Sequence, residues 1–245
     1  MESEALLAAV ERENRALARG ARGVLDRPVP GCPGFDVAQV MRHLGAVHRW
    51  AAQIVSSDAT ARPHRDNTPA QPSDPAGLFA WFDEGVDALL AAFRAADSSK
   101  RCYSWRGEQT PVWWRRRQAL EAAVHRVDVE QAAGRARPEV DGELAATGID
   151  EHIEIFLPYA RPPETLGEVG RTVHLHATDR DGEWLFRMRA GGVDVTRGHA
   201  KGDAAVRGTA SDLFLFIWRR LDVDDLELHG DREAAVLLRD QTIVG

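Results

Sequence analysis

The chain has 245 residues, of which 44% are hydrophobic and 28% are charged, and its formal net charge is -7. This length and composition exclude a disordered or fibrous chain and allow either one large domain or two modest ones. The acidic balance argues against nucleic acid as a partner, because a protein that binds a duplex needs a basic surface for the phosphates.

The compartment follows from the charged N-terminus and the cysteine content. Residues 1–20 are rich in charge, which argues against a secretory signal, and no run of 18 apolar residues predicts a membrane span. Cys32 and Cys102 are too few for a disulfide framework, so we expect two reduced structural thiols. The sequence therefore predicts a cytoplasmic protein. Only two of its 31 basic residues are lysine, a bias that is typical of a GC-rich genome.

The first part of the chain has helical periodicity. Apolar residues at helical spacing predict helices over residues 3–26, 37–56, from 74 onwards, 111–133 and 141–157. Asp36 is a suitable N-cap for the second helix, and Thr110 followed by Pro111 marks the start of the fourth. Proline and glycine interrupt the pattern at 27–34, a polar loop follows at 57–73, and 97–109 is predicted to be irregular. Helices of this kind form bundles that build metal sites from facing side chains.

The period changes after residue 170. Pro158–Gly170 is rich in proline and glycine and is predicted to be a linker. From Thr172 onwards apolar and polar residues alternate, which predicts strands near 172–178, 184–188, 193–196, 203–207 and 225–229. Two helices are predicted among them, near 210–221 and 231–239. The prediction is therefore a helical bundle over residues 1–158 and a small α+β domain over residues 171–245.

One face of the fourth helix carries groups that can bind metal. Glu121 and His125 are one turn apart and project from the same face, where their donor atoms can converge on a divalent ion. Asp128 also lies on this face. By itself this spacing is a weak signal, because a solvated Glu–His pair occurs by accident in many helices.

The second helix offers a third ligand. His43 lies at the margin of its apolar face, so a bundle can present it inward, although a histidine bound to backbone remains the alternative. His48 points elsewhere. His174 and His176 share one face of a strand, but no third ligand is evident there, and His152 is expected to pack in the core. The chain contains no GxSxG, P-loop, GxGxxG, HExxH or paired CxxC motif.

Several segments resemble the mycothiol-dependent maleylpyruvate isomerase family. The resemblance covers nearly the whole chain, in the family's order, at residues 29–37, 41–45, 121–128, 150–158, 208–213 and 228–232. It implies a DinB-like four-helix bundle followed by a small α/β domain similar to sterol carrier proteins. It further implies a metal, zinc above all, held by His43, Glu121 and His125, and an actinobacterial host.

The resemblance implies an enzyme whose partners are a small electrophilic substrate and a low-molecular-weight thiol, mycothiol. Two imidazoles and one carboxylate leave zinc an open position, as in catalytic sites, and a thiol bound there is deprotonated. Besides Glu121, the candidate catalytic residues are Asp128, to orient a ligand histidine, and Arg126, to hold a substrate carboxylate. Further candidates for the arginine are Arg207, Arg219 and Arg220.

Two other functions fit the same residues. The metal could stabilise a non-catalytic protein that binds small molecules or regulates a partner, or it could activate water for hydrolysis. The sequence does not identify the substrate, and it leaves both a monomer and a homodimer open.

Overall fold

The structure is a computed structural model that describes residues 1–57, 62, 70–159 and 169–241. It divides into two compact units, Met1–Pro138 and Glu139–Gly245. Parts of two predicted segments, residues 58–61 and 63–69 of the polar loop and residues 160–168 of the linker, lie outside the described residues.

The described residues of the first unit form four α-helices. They are α1 (Ser3–Gly20), α2 (Val37–Ser56), α3 (Pro75–Ala95) and α4 (Pro111–Ala132). Side-chain caps define three of the starts, because Asp36, Asp74 and Thr110 each accept a hydrogen bond from a backbone N–H of the first turn. Helix α1 ends at Gly20, earlier than the predicted residue 26, and the chain then turns through Gly23 at a φ of 77°.

The four helices pack as a bundle. Helix α1 lies against α4 and α3, and α2 lies against α3 and α4. The largest fully buried side chains of the unit include Leu17, Met41, Phe82, Phe93 and Trp114. Helix α4 is buried on nearly all sides, and its buried residues include charged and polar ones. Buried polar groups need partners, so the fold collects polar side chains around α4.

The segment between α3 and α4 is irregular, as predicted. It is closed by a bridge in which the backbones of Cys102 and Gln109 exchange two hydrogen bonds of 2.9 Å. The bridge brings Tyr103 and Trp105 to the start of α4, where the carbonyl of Tyr103 accepts a hydrogen bond from the Trp114 indole at 2.9 Å. Aromatic side chains from this segment therefore border the N-terminal half of α4.

Within the described residues, the second unit contains a mixed sheet and three α-helices. The elements are α5 (Gly142–Glu151), β1 (Thr172–Ala177), β2 (Glu183–Arg189), β3 (Gly192–Arg197), β4 (Ala204–Gly208), α6 (Ala210–Ile217), β5 (Glu227–Gly230) and α7 (Arg232–Gln241). The strand order is β3-β2-β1-β4-β5, in which β1 and β4 are parallel and the other neighbours are antiparallel. The predicted combination of a helical bundle and an α+β domain is confirmed.

The structure divides the chain earlier than the boundary predicted at residue 158. Helix α5 packs on α6 within the second unit, and the backbone N–H of Val140 donates to Ser211 Oγ at 2.9 Å. Residues 141–157 are also not one α-helix, because a π-helical turn over His152–Phe156 and a 3-10 turn over Leu157–Tyr159 follow α5.

The two faces of the sheet differ in character. On the central strand β1, Val173 and Leu175 are fully buried on the face that α6 and α7 cover, while His174 and His176 alternate onto the other face. Within the described residues, no helix has the length and apolar character that crossing a bilayer requires.

Candidate metal centre

Side chains from two facing helices of the first unit converge at one point. Glu121 and His125 lie one turn apart on α4, and His43 lies on α2. Glu121 Oε1 is 3.2 Å from His43 Nε2 and 3.6 Å from His125 Nε2. One potential ligand atom from each residue lies within 4.8 Å of the other two. The structure thus brings together the three residues that the sequence predicted as metal ligands.

These separations fit a zinc ion. Tetrahedral zinc with bond lengths near 2.1 Å places its ligand atoms about 3.4 Å apart. The two measured separations between Glu121 and the histidines fall on either side of that value. The interplanar angle of 71° between the imidazoles of His43 and His125, whose centroids are 5.3 Å apart, keeps the rings from stacking. The donor set is also of the type that zinc prefers.

Arg117 holds the second oxygen of the Glu121 carboxylate. Its side chain is buried one turn before Glu121 on α4, and Nη2 donates to Glu121 Oε2, so Oε1 faces the histidines. Burial would raise the pKa of Glu121, but the Arg117 guanidinium and hydrogen bonds with His125 and His43 hold it well below its usual value. Glu121 is therefore ionised and oriented, as a metal ligand must be.

Asp128 orients His125 by contacting Nδ1, the ring nitrogen that does not face Glu121. This carboxylate is fully buried, and its Oδ2 lies 2.9 Å from His125 Nδ1. An Nδ1–H that donates to Asp128 leaves the lone pair of Nε2 directed at Glu121, which is the usual arrangement behind a ligating histidine. Burial would lower the pKa of His125, but hydrogen bonds with Asp128, Cys32 and Glu121 raise it well above the ordinary value.

A second set of potential ligands shares His125. The Sγ of Cys32 donates to Asp128 Oδ2 at 3.4 Å, and Cys32, His125 and Asp128 also lie close enough to hold an ion. An ion there would occupy Nδ1 of His125, the nitrogen that contacts Asp128. His43 and Glu121 line the cavity described below, and Cys32 and Asp128 are not among its lining residues. The set that includes His43 is therefore the one that borders this cavity.

The cavity beside these residues has a volume of about 320 Å³. Its wall combines the two ligands with aromatic rings and two arginines: His43, Val47, Trp50, Arg62, Tyr103, Trp105, Trp114, Arg117, Gln118 and Glu121. Three tryptophan rings meet edge to face, with centroid distances of 5.5 Å for Trp50–Trp114 and 5.8 Å for Trp105–Trp114. The rings give the wall a large apolar surface, while the arginines favour an anionic ligand.

Arg126, one of the four arginines that the sequence offered for a substrate carboxylate, is not among the residues that line this cavity. Its guanidinium is buried against α1, where it forms ion pairs with Glu13 and Glu130. Arg117 takes the position beside Glu121 instead. The sequence carried a signal for this, because a residue four before Glu121 shares its helix face. The other three candidates, Arg207, Arg219 and Arg220, belong to the second unit. Arg207, for example, forms a 2.7 Å ion pair with Glu227.

The remaining histidines of interest are buried in apolar surroundings. His48 packs edge to face on Phe82, and burial together with the charge of Arg49 lowers its pKa to about 3. His152 packs against Phe156 and Trp218, with ring centroids 6.0 and 5.5 Å away. The core position expected for His152 is confirmed.

Comparison with known proteins identifies relatives for both units. A family model described as "Mycothiol maleylpyruvate isomerase N-terminal domain" matches residues 6–130, and one described as "MDMPI C-terminal domain" matches residues 143–237. A crystal structure of the mycothiol-dependent maleylpyruvate isomerase superposes with a TM-score of 0.58, and that of a mutant with 0.62. Each has 11% sequence identity, and the match covers 93% of both chains. No curated protein sequence matches.

Proposed function

Because this chain belongs to the mycothiol-dependent maleylpyruvate isomerase family, we propose that it is a metal-dependent enzyme that uses a low-molecular-weight thiol of the mycothiol type. Its substrate would be a small anionic electrophile, which it isomerises or to which it transfers a group. The observation that carries the proposal is the convergence of His43, Glu121 and His125 on one point at the wall of a cavity.

When bound, a divalent ion at these ligands would supply an open position at which a thiol loses its proton. The chain's own residues would prepare that position. Glu121 presents one oxygen because Arg117 holds the other, and His125 presents Nε2 because Asp128 engages Nδ1. Both supporting contacts are formed by buried side chains, so the ligand atoms are oriented in advance.

The cavity supports an anionic substrate. Arg62 and Arg117 line it together with the tryptophan and tyrosine rings, and guanidinium groups match carboxylates in charge and geometry. Maleylpyruvate, the substrate in the relatives' name, is a small unsaturated dicarboxylate of this class. Addition of a thiolate to its double bond would permit rotation about the resulting single bond, after which expulsion of the same thiolate would re-form the double bond as the trans isomer.

Zinc as the metal and the cytoplasm as the location are parts of the same proposal. Two imidazoles and a carboxylate are the donors of many catalytic zinc sites. Within the described residues the buried Cys102 and the partly exposed Cys32 form no disulfide, which suits a reducing compartment.

The test is a thiol titration of the cobalt-substituted full chain. A low-molecular-weight thiol that enters the open position produces a sulfur-to-cobalt charge-transfer band. The titration is made in a Cys32→Ser background, because Cys32 is itself a potential ligand. Glu121→Ala is expected to abolish the band, while Glu84→Ala, which removes an exposed carboxylate from α3, is the matched control and should leave it unchanged.

A thiol-dependent band together with turnover of maleylpyruvate in the presence of mycothiol would support the proposal. Tight metal binding without thiol ligation would overturn it in favour of metal-assisted hydrolysis or a structural metal. A chain that binds no metal at all would refute every version of the site.

A further inference from the structure

A second group of potential metal-binding side chains lies in the other unit, on the sheet face opposite α6 and α7. His174 and His176 are on β1, and Glu183 begins β2. In the antiparallel register His176 lies directly opposite Glu183, so all three side chains share one face. His176 Nδ1 is 2.7 Å from Glu183 Oε1, which fixes the orientation of the carboxylate.

His174 is a buried imidazole with an unsatisfied nitrogen. The residue is only 4% exposed, and its Nε2 has no hydrogen-bond partner. The nearest oppositely charged group is Glu183 Oε2 at 3.8 Å, too far for a hydrogen bond. A buried polar atom without a partner is destabilising, because it has lost its hydrogen bonds to water.

His199 completes the group from the segment after β3. The backbone N–H of Gly198 donates to the carbonyl of Glu183 at 3.2 Å, and this contact brings His199 beside the carboxylate. Its Nδ1 lies 3.3 Å from Glu183 Oε1, and its ring centroid is 5.5 Å from that of His174. Ligand atoms of His174, Glu183 and His199 all lie within 4.8 Å of one another.

We propose that His174, Glu183 and His199 form a second divalent metal site, of the zinc class, that is independent of the centre in the bundle. Two imidazoles and one carboxylate suit zinc and neighbouring transition metals. The site opens on a cavity of about 610 Å³, which His174, His176 and His199 help to line. Coordination would satisfy Nε2 of His174 and would connect β1, β2 and the segment after β3 through one ion.

The sequence pattern alone did not indicate this site. His174 and His176 are two apart and share a face. The additional ligands are Glu183 on the neighbouring strand β2 and His199 in the segment after β3. Only the pairing of β1 with β2 and of β2 with β3 brings them together.

The test measures zinc binding by the full chain after both ligand sets of the bundle have been disabled with Cys32→Ser, His43→Ala and Glu121→Ala. Competition with a chromophoric chelator should detect one remaining equivalent of zinc. His199→Ala is the decisive variant, because this side chain is 83% exposed and its loss leaves the core intact. We expect it to weaken binding by at least about 100-fold, as removal of a direct ligand should exceed the 10- to 100-fold effect of an outer-shell partner.

Glu183→Gln should weaken binding to a similar extent. The matched control is His229→Ala, which removes another exposed histidine that lines the same cavity and contacts Glu227. It should leave the zinc affinity unchanged. The proposal is overturned if the chain without its bundle ligands binds no zinc, or if His199→Ala and Glu183→Gln bind zinc as tightly as the His229→Ala control. The thiol titration of the bundle centre is also made with His199→Ala, so that neither result affects its outcome.

Discussion

Replacement of Asp128 by asparagine tests the support behind the proposed metal ligand His125. Asp128 is fully buried, and its Oδ2 lies 2.9 Å from His125 Nδ1. Asparagine keeps the shape and one acceptor oxygen but loses the charge. Loss of an outer-shell partner weakens metal binding by about 10- to 100-fold. Since one acceptor remains, we expect a loss near the lower end, about tenfold or about 1.4 kcal/mol.

The difference in zinc affinity between the parent and Asp128→Asn should depend on pH, and the sign of this dependence follows from the pKa of His125. In the metal-free protein Asp128 helps to hold this pKa well above the ordinary value. Below that pKa a proton competes with the metal for the ring, and the affinity falls about tenfold per pH unit. In Asp128→Asn the pKa is lower, so competition begins at a lower pH. The parent should therefore bind more tightly at alkaline pH, and its advantage should shrink as the pH falls.

The assay is zinc competition with a chromophoric chelator between pH 6 and pH 9. It is made in a His199→Ala background, so that the second metal site proposed in the other unit does not contribute. Asp83→Asn, which removes a partly exposed carboxylate of α3 that is paired with Arg15, should bind like the parent throughout. Equal affinities of Asp128→Asn and the parent at alkaline pH, or a ratio that does not change with pH, would refute the reasoning.

Three further predictions concern stability and are checked by urea unfolding. Glu13→Ala should lower the free energy of unfolding by about 3 kcal/mol, because it leaves the buried guanidinium of Arg126 without one of its partners; a loss under 1 kcal/mol would contradict this placement. His48 takes up its proton near pH 3 when folded but near pH 6.5 when unfolded, so between these values stability should fall by up to about 1.4 kcal/mol per pH unit as the pH falls; His48→Leu should remove that contribution, and an unchanged slope would refute it. Gly45→Ala should cost about 1–3 kcal/mol, because the new Cβ would lie 2.1 Å from the Trp81 ring; a variant as stable as the parent would show that the ring can move away.

The starts of the helices were more predictable from the sequence than their ends. Asp36 and Thr110 each bind a backbone N–H of their own helix, so the information is contained in a few neighbouring residues. The ends of α1 and α5 depend on more distant contacts. Residues 21–26 leave α1 although apolar spacing continues to Val24, and the chain after Glu151 changes to a π-helical turn. Periodicity cannot reveal either change, since it reports only which residues are apolar.

In the candidate site, too, the local relations between residues were predictable and the tertiary contacts were not. Glu121 and His125 belong to one helix, and their common face follows from spacing. That His43 meets them depends on the packing of α2 against α4, which the helix pattern alone permits but does not require. Tyr103 and Trp105 of the cavity wall come from an irregular segment and have no periodic signal. The aromatic wall of the cavity therefore could not be predicted from the sequence.

Helical geometry does indicate which arginine lies beside Glu121. At about 100° per residue, residue 117 lies about 40° from Glu121 around the helix axis, whereas Arg126 lies about 140° away, on the opposite side. Arg126 is adjacent to His125 in the chain, but α4 is buried on both of these sides, so the two arginines reach different partners. Arg117 contacts Glu121, and Arg126 contacts Glu13 on α1. A buried helix that carries charge on opposite faces must neutralise each face separately, and only one of those faces borders the cavity.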